Sequence, residues 1–440
     1  MRFLAAIFAV LFPSVIAAAT RTAIPDVTVI DGSGGKPVAH ATLVIEGSKI
    51  REIYTGSKPY KASPGTKVLH FEGKFVMPGL ISAHSHLGLV DGTASKPENY
   101  NQANIERQLK LYERYGVTTV TSLGLNRDLI YQLRAEQRAG KLGGATILTA
   151  GRGLGVPGGV PGMNVAADQL YRPKTPDEAR RDVDEMAAHH PDILKIWVDD
   201  NLGKSPRPNF DVEKAVIDEA HKHGLKVAAH IFYLADAKKI VSDGVDVLAH
   251  SVRDKPVDNE LIGLMKKHHT AYLPTLQLEE AFFIYADKPD WIRSPFFLNA
   301  LQPSMREMLL SSGYAAKVQS DPATVLHRQF LATAEQNLKK MSDAGVTIGF
   351  GTDSGAMPTR VAGFAEHREL QLMVEAGLTP AQAIHCATTG NAAILGLKNT
   401  GTLTAGKDAD LLVLDGDPLE NVSNTEKIVA VFHEGRQVKR

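Results

Sequence analysis

Between residues 81 and 353, short apolar runs of strand character alternate with amphipathic helical patterns, and this alternation restricts the fold more than any other feature of the chain. The apolar runs fall at 81–89, 118–122, 146–150, 193–198, 226–230, 245–250, 271–275 and 346–353. Helical patterns intervene, for example at 211–223 and 234–242, where apolar residues recur at helical spacing. Eight such strands with helices between them predict a parallel sheet closed as a (β/α)8, TIM-like barrel. The stretch from 276 to 345 is long for a connection and carries aromatic and proline-rich segments, so it is expected to form a lid or part of a pocket wall.

The flanks differ from the centre. Residues 22–30, 41–46 and 67–71 are short β-type runs separated by turn signals, and 411–414 and 428–433 share their character. The two ends are therefore expected to build one small β-sandwich domain from 20–73 and 398–440, with the barrel spanning 74–397. Residues 1–19 carry one charge, Arg2, then an apolar run and a closing Ala17-Ala18-Ala19. That layout predicts a cleaved export signal, hence a periplasmic or secreted protein with no membrane attachment after cleavage.

Charge and cysteine content narrow the chemistry. Lys+Arg and Asp+Glu both number 49, so the net charge is zero and there is no basic footprint for nucleic acid. Cys386 is the only cysteine, which excludes an internal disulfide and a cysteine zinc cluster. Any metal site must then use His, Asp, Glu or Lys.

In a barrel of this kind the chemistry sits at the carboxyl ends of the strands. The first strand ends in His84-Ser85-His86, and two residues of extended chain point both imidazoles to one side. The fourth carries Lys195 inside an apolar run, the fifth ends at His230, the sixth at His250, and the eighth at Gly351-Thr352-Asp353. Singly, each has an ordinary structural explanation: a satisfied histidine, a snorkelling lysine, a turn-capping aspartate. Together, at the same end of five strands, they predict a metal site formed by His84, His86, Lys195, His230, His250 and Asp353.

With these residues in view, the sequence resembles the amidohydrolase superfamily, in the branch of imidazolonepropionase-like proteins and metal-dependent Xaa-Pro dipeptidases. The resemblance rests on Val76-Met77-Pro78-Gly79-Leu80-Ile81 leading into His84-Ser85-His86, then on Lys195, His230, His250 and Gly351-Thr352-Asp353. It continues in Leu378-Thr379-Pro380-Ala381-Gln382-Ala383-Ile384 and in the 401–411 segment, so it covers nearly the whole chain after residue 19. It implies that Lys195 is carboxylated by carbon dioxide and bridges two divalent metals. One metal would take His84, His86, Lys195 and Asp353, the other Lys195, His230 and His250. A metal-bridging hydroxide would attack the substrate, with Asp353 as general acid/base. Zinc suits these ligands first, and manganese, iron and cobalt suit them as well.

Around this centre, Arg152, Phe232, Tyr233, Arg253 and Thr275 follow or end strands, and Arg152, Tyr233 and Arg253 are candidates for binding a substrate carboxylate or carbonyl. The competing expectation is loop salt bridges for the arginines and rim packing for Tyr233. The glycine-rich 151–162 lacks the Gly-Lys-Ser/Thr ending of a phosphate cradle and reads as an active-site loop. The expected function is hydrolysis of a C–N bond in a small substrate such as a dipeptide or N-acyl amino acid. Cyclic amide or lactone opening is the alternative within catalysis, and a catalytically silent ligand-binding barrel is the alternative outside it. A small molecule or peptide is the expected partner, and a homo-oligomer is compatible with this reading.

Overall fold

The computed structural model describes residues 20–56, 58 and 60–439; the expected export signal lies outside the described residues. Strands β1 (Arg21–Val29), β2 (Val38–Glu46), β3 (Lys49–Tyr54), β4 (Lys67–Val68) and β5 (Phe75–Pro78) lead into the first barrel strand, β6 (Leu80–Ser85). A short hairpin of β7 (Val90–Asp91) and β8 (Ala94–Ser95) follows. The barrel continues in β9 (Val117–Ser122), β10 (Thr146–Thr149), β11 (Leu194–Val198), β12 (Val227–Ile231), β13 (Val247–Ala249) and β14 (Ala271–Leu273). The chain returns through β15 (Leu411–Leu414), β16 (Ile428–His433) and β17 (Arg436–Gln437).

The two ends share one sheet, ordered β17-β16-β15-β5-β1-β2-β3 with β4 beside β1. β15 shows why they must. Its four residues are all apolar and all buried, and strand alternation sends them to two cores. Leu411 and Val413 join the core of the terminal sheet, whereas Leu412 and Leu414 pack into the barrel core. Contact between the layers is close: a Cβ on Gly116 would sit 2.3 Å from Leu412.

The barrel consists of two parallel ladders, β6-β9-β10 and β11-β12-β13-β14. Two irregular segments join them. Leu154 bridges to Ile196, with its amide donating to Lys195 O at 2.9 Å. The eighth apolar run bridges Ile348 to Tyr272 and Ser354 to Ser85. The sequence predicts a full strand there, but the segment makes isolated bridges instead of a ladder. The reason is a side chain: Asn391 accepts from Phe350 N at 2.9 Å and donates to the carbonyls of Phe350 and Ile81, both at 2.6 Å. One amide thus takes up Phe350 N and shares Phe350 O with the Ala83 amide of β6, which donates to it at 3.0 Å.

Outer helices cover the barrel. The helix Phe210–Lys222 is representative, with Asn209 capping its start and Val212, Ala215, Val216 and Ala220 on its buried face. The 276–345 segment is helical and carries an aromatic cluster, in which Tyr285 and Phe297 pack with Phe364 of the helix Phe364–Glu375. Leu278, Glu279, Phe282, His327 and Phe330 from this segment line the cavity that also contains His84 and His86, so it forms pocket wall. Among the described residues no helix is long and apolar enough to cross a membrane.

Candidate metal centre

Alternation along the strands determines which side chains reach the barrel axis. On β12, Val227, Ala229 and Ile231 pack outward with the helices, while Ala228 joins an inner cluster and His230 follows on the same face. On β13, Val247 and Ala249 face that inner cluster, so regular alternation would send His250 outward. Instead His250 takes a left-handed backbone, φ 79°, and its ring comes within 4.5 Å, centroid to centroid, of both His84 and His230. Asp353 is likewise left-handed, φ 59°. Such conformations cost of order 1 kcal/mol or more for a non-glycine residue, and they concentrate at functional sites.

Asp353 joins the first strand to the eighth run. Its Oδ1 lies 3.1 Å from His84 Nε2 and 3.0 Å from His86 Nε2. These three residues offer ligand atoms all within 4.8 Å of one another. Gly351 makes this approach possible, because a Cβ there would meet the His84 Cβ at 2.7 Å and its backbone nitrogen at 2.9 Å. Orienting bonds come from behind the rings. Gly124 O lies 3.3 Å from His86 Nδ1, and Thr275 Oγ1 lies 2.8 Å from His250 Nδ1. His230 is held differently, with its Nε2 3.0 Å from Asp199 Oδ2.

The electrostatics suit a cation. Burial, aided by the charge of Lys195, pushes His84 down to about 3. Burial also lowers His230, and it drives His250 well below the ordinary histidine value with help from its neighbouring rings. These imidazoles are therefore neutral near pH 7 and carry free lone pairs. Burial works to raise Asp353, but the charge of Arg360 and the contacts with His84 and His86 outweigh it and hold the carboxyl well below the usual range. Lys195 is fully buried, its Nζ has no hydrogen-bond partner, and burial brings it down to about 7. Neither ring nitrogen of His84 makes a hydrogen bond either. Unpaired buried polar atoms cost about 1–3 kcal/mol each. Neutral imidazoles, an anionic carboxylate and a deprotonable amine, several without partners, are a donor set that fits divalent metal.

The sequence profile of the amidohydrolase family matches residues 75–438. The chain belongs to the amidohydrolase family. A protein described as a proposed prolidase from Bifidobacterium longum has a similar structure, with a TM-score of 0.76, 26% identity and 96% of each chain covered. Ochratoxinase of Aspergillus niger is 26% identical over 91% of this chain and 82% of its own length. An uncharacterized protein of Mycobacterium tuberculosis is 30% identical over 224 residues, 49% of this chain and 55% of that protein. The chain thus spans about half the length of the mycobacterial relatives it matches.

In this amidohydrolase the centre opens into a cavity of about 420 Å³ lined by His84, His86, His230, His250 and Asp353, with Trp197 among the walls. Lys195 lies beneath them, its Nζ 5.5 Å from the Trp197 ring centroid. The structure thus brings all six predicted ligands into one cluster. Of the predicted substrate residues only Arg253 lines the cavity. Arg152 does not: it pairs with Asp128 at 2.9 Å and donates to Tyr171 Oη at 2.9 Å, the loop salt bridge that competed with the binding expectation. Tyr233 also misses the cavity, since its hydroxyl donates to Asp200 at 2.7 Å and Arg207 lies over its ring. Val160, Pro161 and Gly162 of the glycine-rich loop, and Met163 just after it, do reach the cavity.

Five further polar residues line the cavity: Asp199, Asn201, Glu279, His327 and Arg360. Asp199 carried a signal, because it follows Lys195 and Trp197 at period two along β11 and its direction of travel. Glu279 and His327 are 48 positions apart in the long helical segment, and only folding joins them, at 2.6 Å.

Proposed function

We propose that this chain is a binuclear metal-dependent amidohydrolase that cleaves the C–N bond of a small amide, a dipeptide or an N-acyl amino acid. The observation that carries the reading is the convergence of four histidines and one anionic aspartate on a single cavity, above one buried lysine whose amine has no hydrogen-bond partner. The similarity to a proposed prolidase and to ochratoxinase supports it. Residues 1–19 are read as an export signal, which makes the mature enzyme periplasmic or secreted. Residues 74–397 are read as the catalytic domain, and 20–73 with 398–440 as the second.

His84, His86, Lys195 and Asp353 would hold one cation, and Lys195, His230 and His250 the other, with zinc the first candidate. When bound, the cations favour ionisation of water and polarise the scissile carbonyl. Lys195 would serve this arrangement as a carbamate: its neutral amine would add to carbon dioxide, forming an N–C bond and releasing one proton, and the resulting anion would supply charge to hold the cations. Thr275 and the carbonyl of Gly124 engage Nδ1 of His250 and His86, which leaves Nε2 of each for metal. Asp199 engages Nε2 of His230, which leaves Nδ1. Asp353 takes a proton from the attacking water and returns it to the departing nitrogen.

Metal analysis of the purified protein alongside hydrolysis of a panel of dipeptides and N-acyl amino acids tests this reading. Two metals per chain and turnover that chelation removes and metal restores are expected. A protein that takes up no metal and shows no metal-dependent turnover would instead be a silent binding barrel.

A further inference from the structure

Two arginines reach the cavity, and they are committed to different degrees. Arg253 spends three of its five donors on the protein: Nε donates to Glu279 Oε1 at 2.7 Å, and Nη1 donates to the carbonyls of Ile231 and Ser251 at 2.9 and 2.8 Å, which leaves Nη2. Glu279 is engaged at both oxygens, because its other oxygen lies 2.6 Å from His327 Nδ1. Arg360 is freer. Among the described residues its side chain makes one hydrogen bond, from Nη1 to Asp353 Oδ2, and its other N–H groups have no partner. A guanidinium carries five donors, so most of this fork remains free.

Its position is built rather than accidental. The chain from Asp353 folds back on itself, with Gly355 N donating to Arg360 O at 3.0 Å and Arg360 N to Met357 O at 3.0 Å. The guanidinium carbon lies 5.6 Å from the centroid of Phe282, which also stacks on the His327 ring at 3.7 Å. Only 8% of Arg360 is exposed. No acid of the cavity is left over to neutralise a second charge: Asp353 meets His84, His86 and Arg360, Asp199 meets His230, and Glu279 meets Arg253 and His327. The outer cavity therefore offers free cationic donors and no free anion beside aromatic walls.

Building on the amide-hydrolase reading, we propose that Arg360 is the specificity residue that receives the substrate's carboxylate, and that the preferred substrates are N-acyl amino acids with an apolar side chain. In an N-acyl amino acid the carboxylate stands one carbon from the scissile nitrogen. Arg360 touches Asp353, the residue beside the reacting atoms, so its free donors lie at that short remove. A planar fork matches a carboxylate through two parallel bonds. Phe282 and Phe330 then face the apolar side chain. A free N-terminal ammonium meets no uncommitted acid, which favours the acylated substrate over the dipeptide.

The matched pair N-benzoyl-L-phenylalanine and N-benzoylphenethylamine differ only in the carboxylate. Metal-loaded wild type is expected to have a kcat/KM for the acid at least about 10-fold above that for the neutral amide, from one charge-assisted pair. R360Q brings the ratio to within about 2-fold, and R360K keeps an intermediate value, because an ammonium retains charge without the fork. Using the ratio cancels any loss that both substrates share through Asp353. Calorimetric binding of 3-phenylpropanoate and 3-phenylpropanamide to the same metal-loaded proteins makes the comparison without turnover, so Arg360 is tested even if neither amide is hydrolysed and the hydrolase reading fails. No preference for the acid in wild type, equal preference in wild type and R360Q, or a preference lost in R253Q but kept in R360Q would each overturn the assignment.

Discussion

A lysine amine sealed from water beneath four histidines is costly unless something takes its lone pair. With Lys195 at about 7 in the folded chain against 10.5 in the unfolded one, the unfolded state holds a proton that the folded state has lost throughout that interval. The sign follows: the penalty is full below pH 7 and is relieved as pH rises towards 10.5. Lys195→Met should therefore stabilise the chelated, metal-free protein by on the order of a few kcal/mol at pH 6 and by much less at pH 10. Denaturant titrations at the two pH values check this, and a gain independent of pH would contradict it. The opposite holds for Glu279, which is buried with both oxygens paired. Glu279→Gln leaves the Arg253 guanidinium without its counter-charge and is expected to cost about 3–5 kcal/mol, read as a fall in the denaturation midpoint.

Among the elements, the seam between β6 and the eighth run concentrates the dependence of the site on its support. Glu366, in the first turn of the helix Phe364–Glu375, is completely buried. It accepts from Thr352 Oγ1 at 2.7 Å, Ser354 Oγ at 2.6 Å and Gly363 N at 2.9 Å, and so grips the residues on both sides of Asp353. Glu366→Ala strands those donors in the core. It should cost about 3 kcal/mol and reduce the metal content measured per chain, because the turn that presents Asp353 is no longer held. Asn391 is the second clamp. Asn391→Ala removes three bonds across the seam and should cost about 2–4 kcal/mol, with faster amide exchange of Phe350 as the local signature. Loss of stability without faster exchange at Phe350 would mean that the seam is held by something else.

At the scale of the molecule, the terminal sheet and the barrel are one packed body, since β15 buries alternate residues in each. The proposed metal centre would be a further long-range tie, drawing on β6, β11, β12, the turn after β13 and the end of the eighth run. A ligand that binds only the folded state stabilises it by mass action, by about 2.7 kcal/mol at 100 times its dissociation constant. Chelation should therefore lower the thermal midpoint of wild type, and the same treatment should move the midpoint of Lys195→Met far less. Equal shifts in the two proteins would remove Lys195 from the centre.

Local chemistry made much of this readable in advance. The alternation of apolar runs with helical patterns signals a barrel because strand and helix periods are properties of short segments. His84 and His86 announce themselves through period two on a single strand, and Lys195 through the cost of an amine in an apolar run. Two strand-final residues, His250 and Asp353, were legible by position, yet their aim was not: regular alternation turns His250 away, and a left-handed backbone brings it in. Arg152 and Tyr233 had the right positions and still point elsewhere, because Asp128 and Asp200 lie close enough to claim them. Sequence alone determined which side chains stand at the ends of the strands, since that depends on neighbours a few residues away. Only the tertiary structure decided which of them meet, which partners already occupy them, and that Arg360 keeps free donors, because pairing between charged groups depends on distances of a few ångströms across segments far apart in the chain.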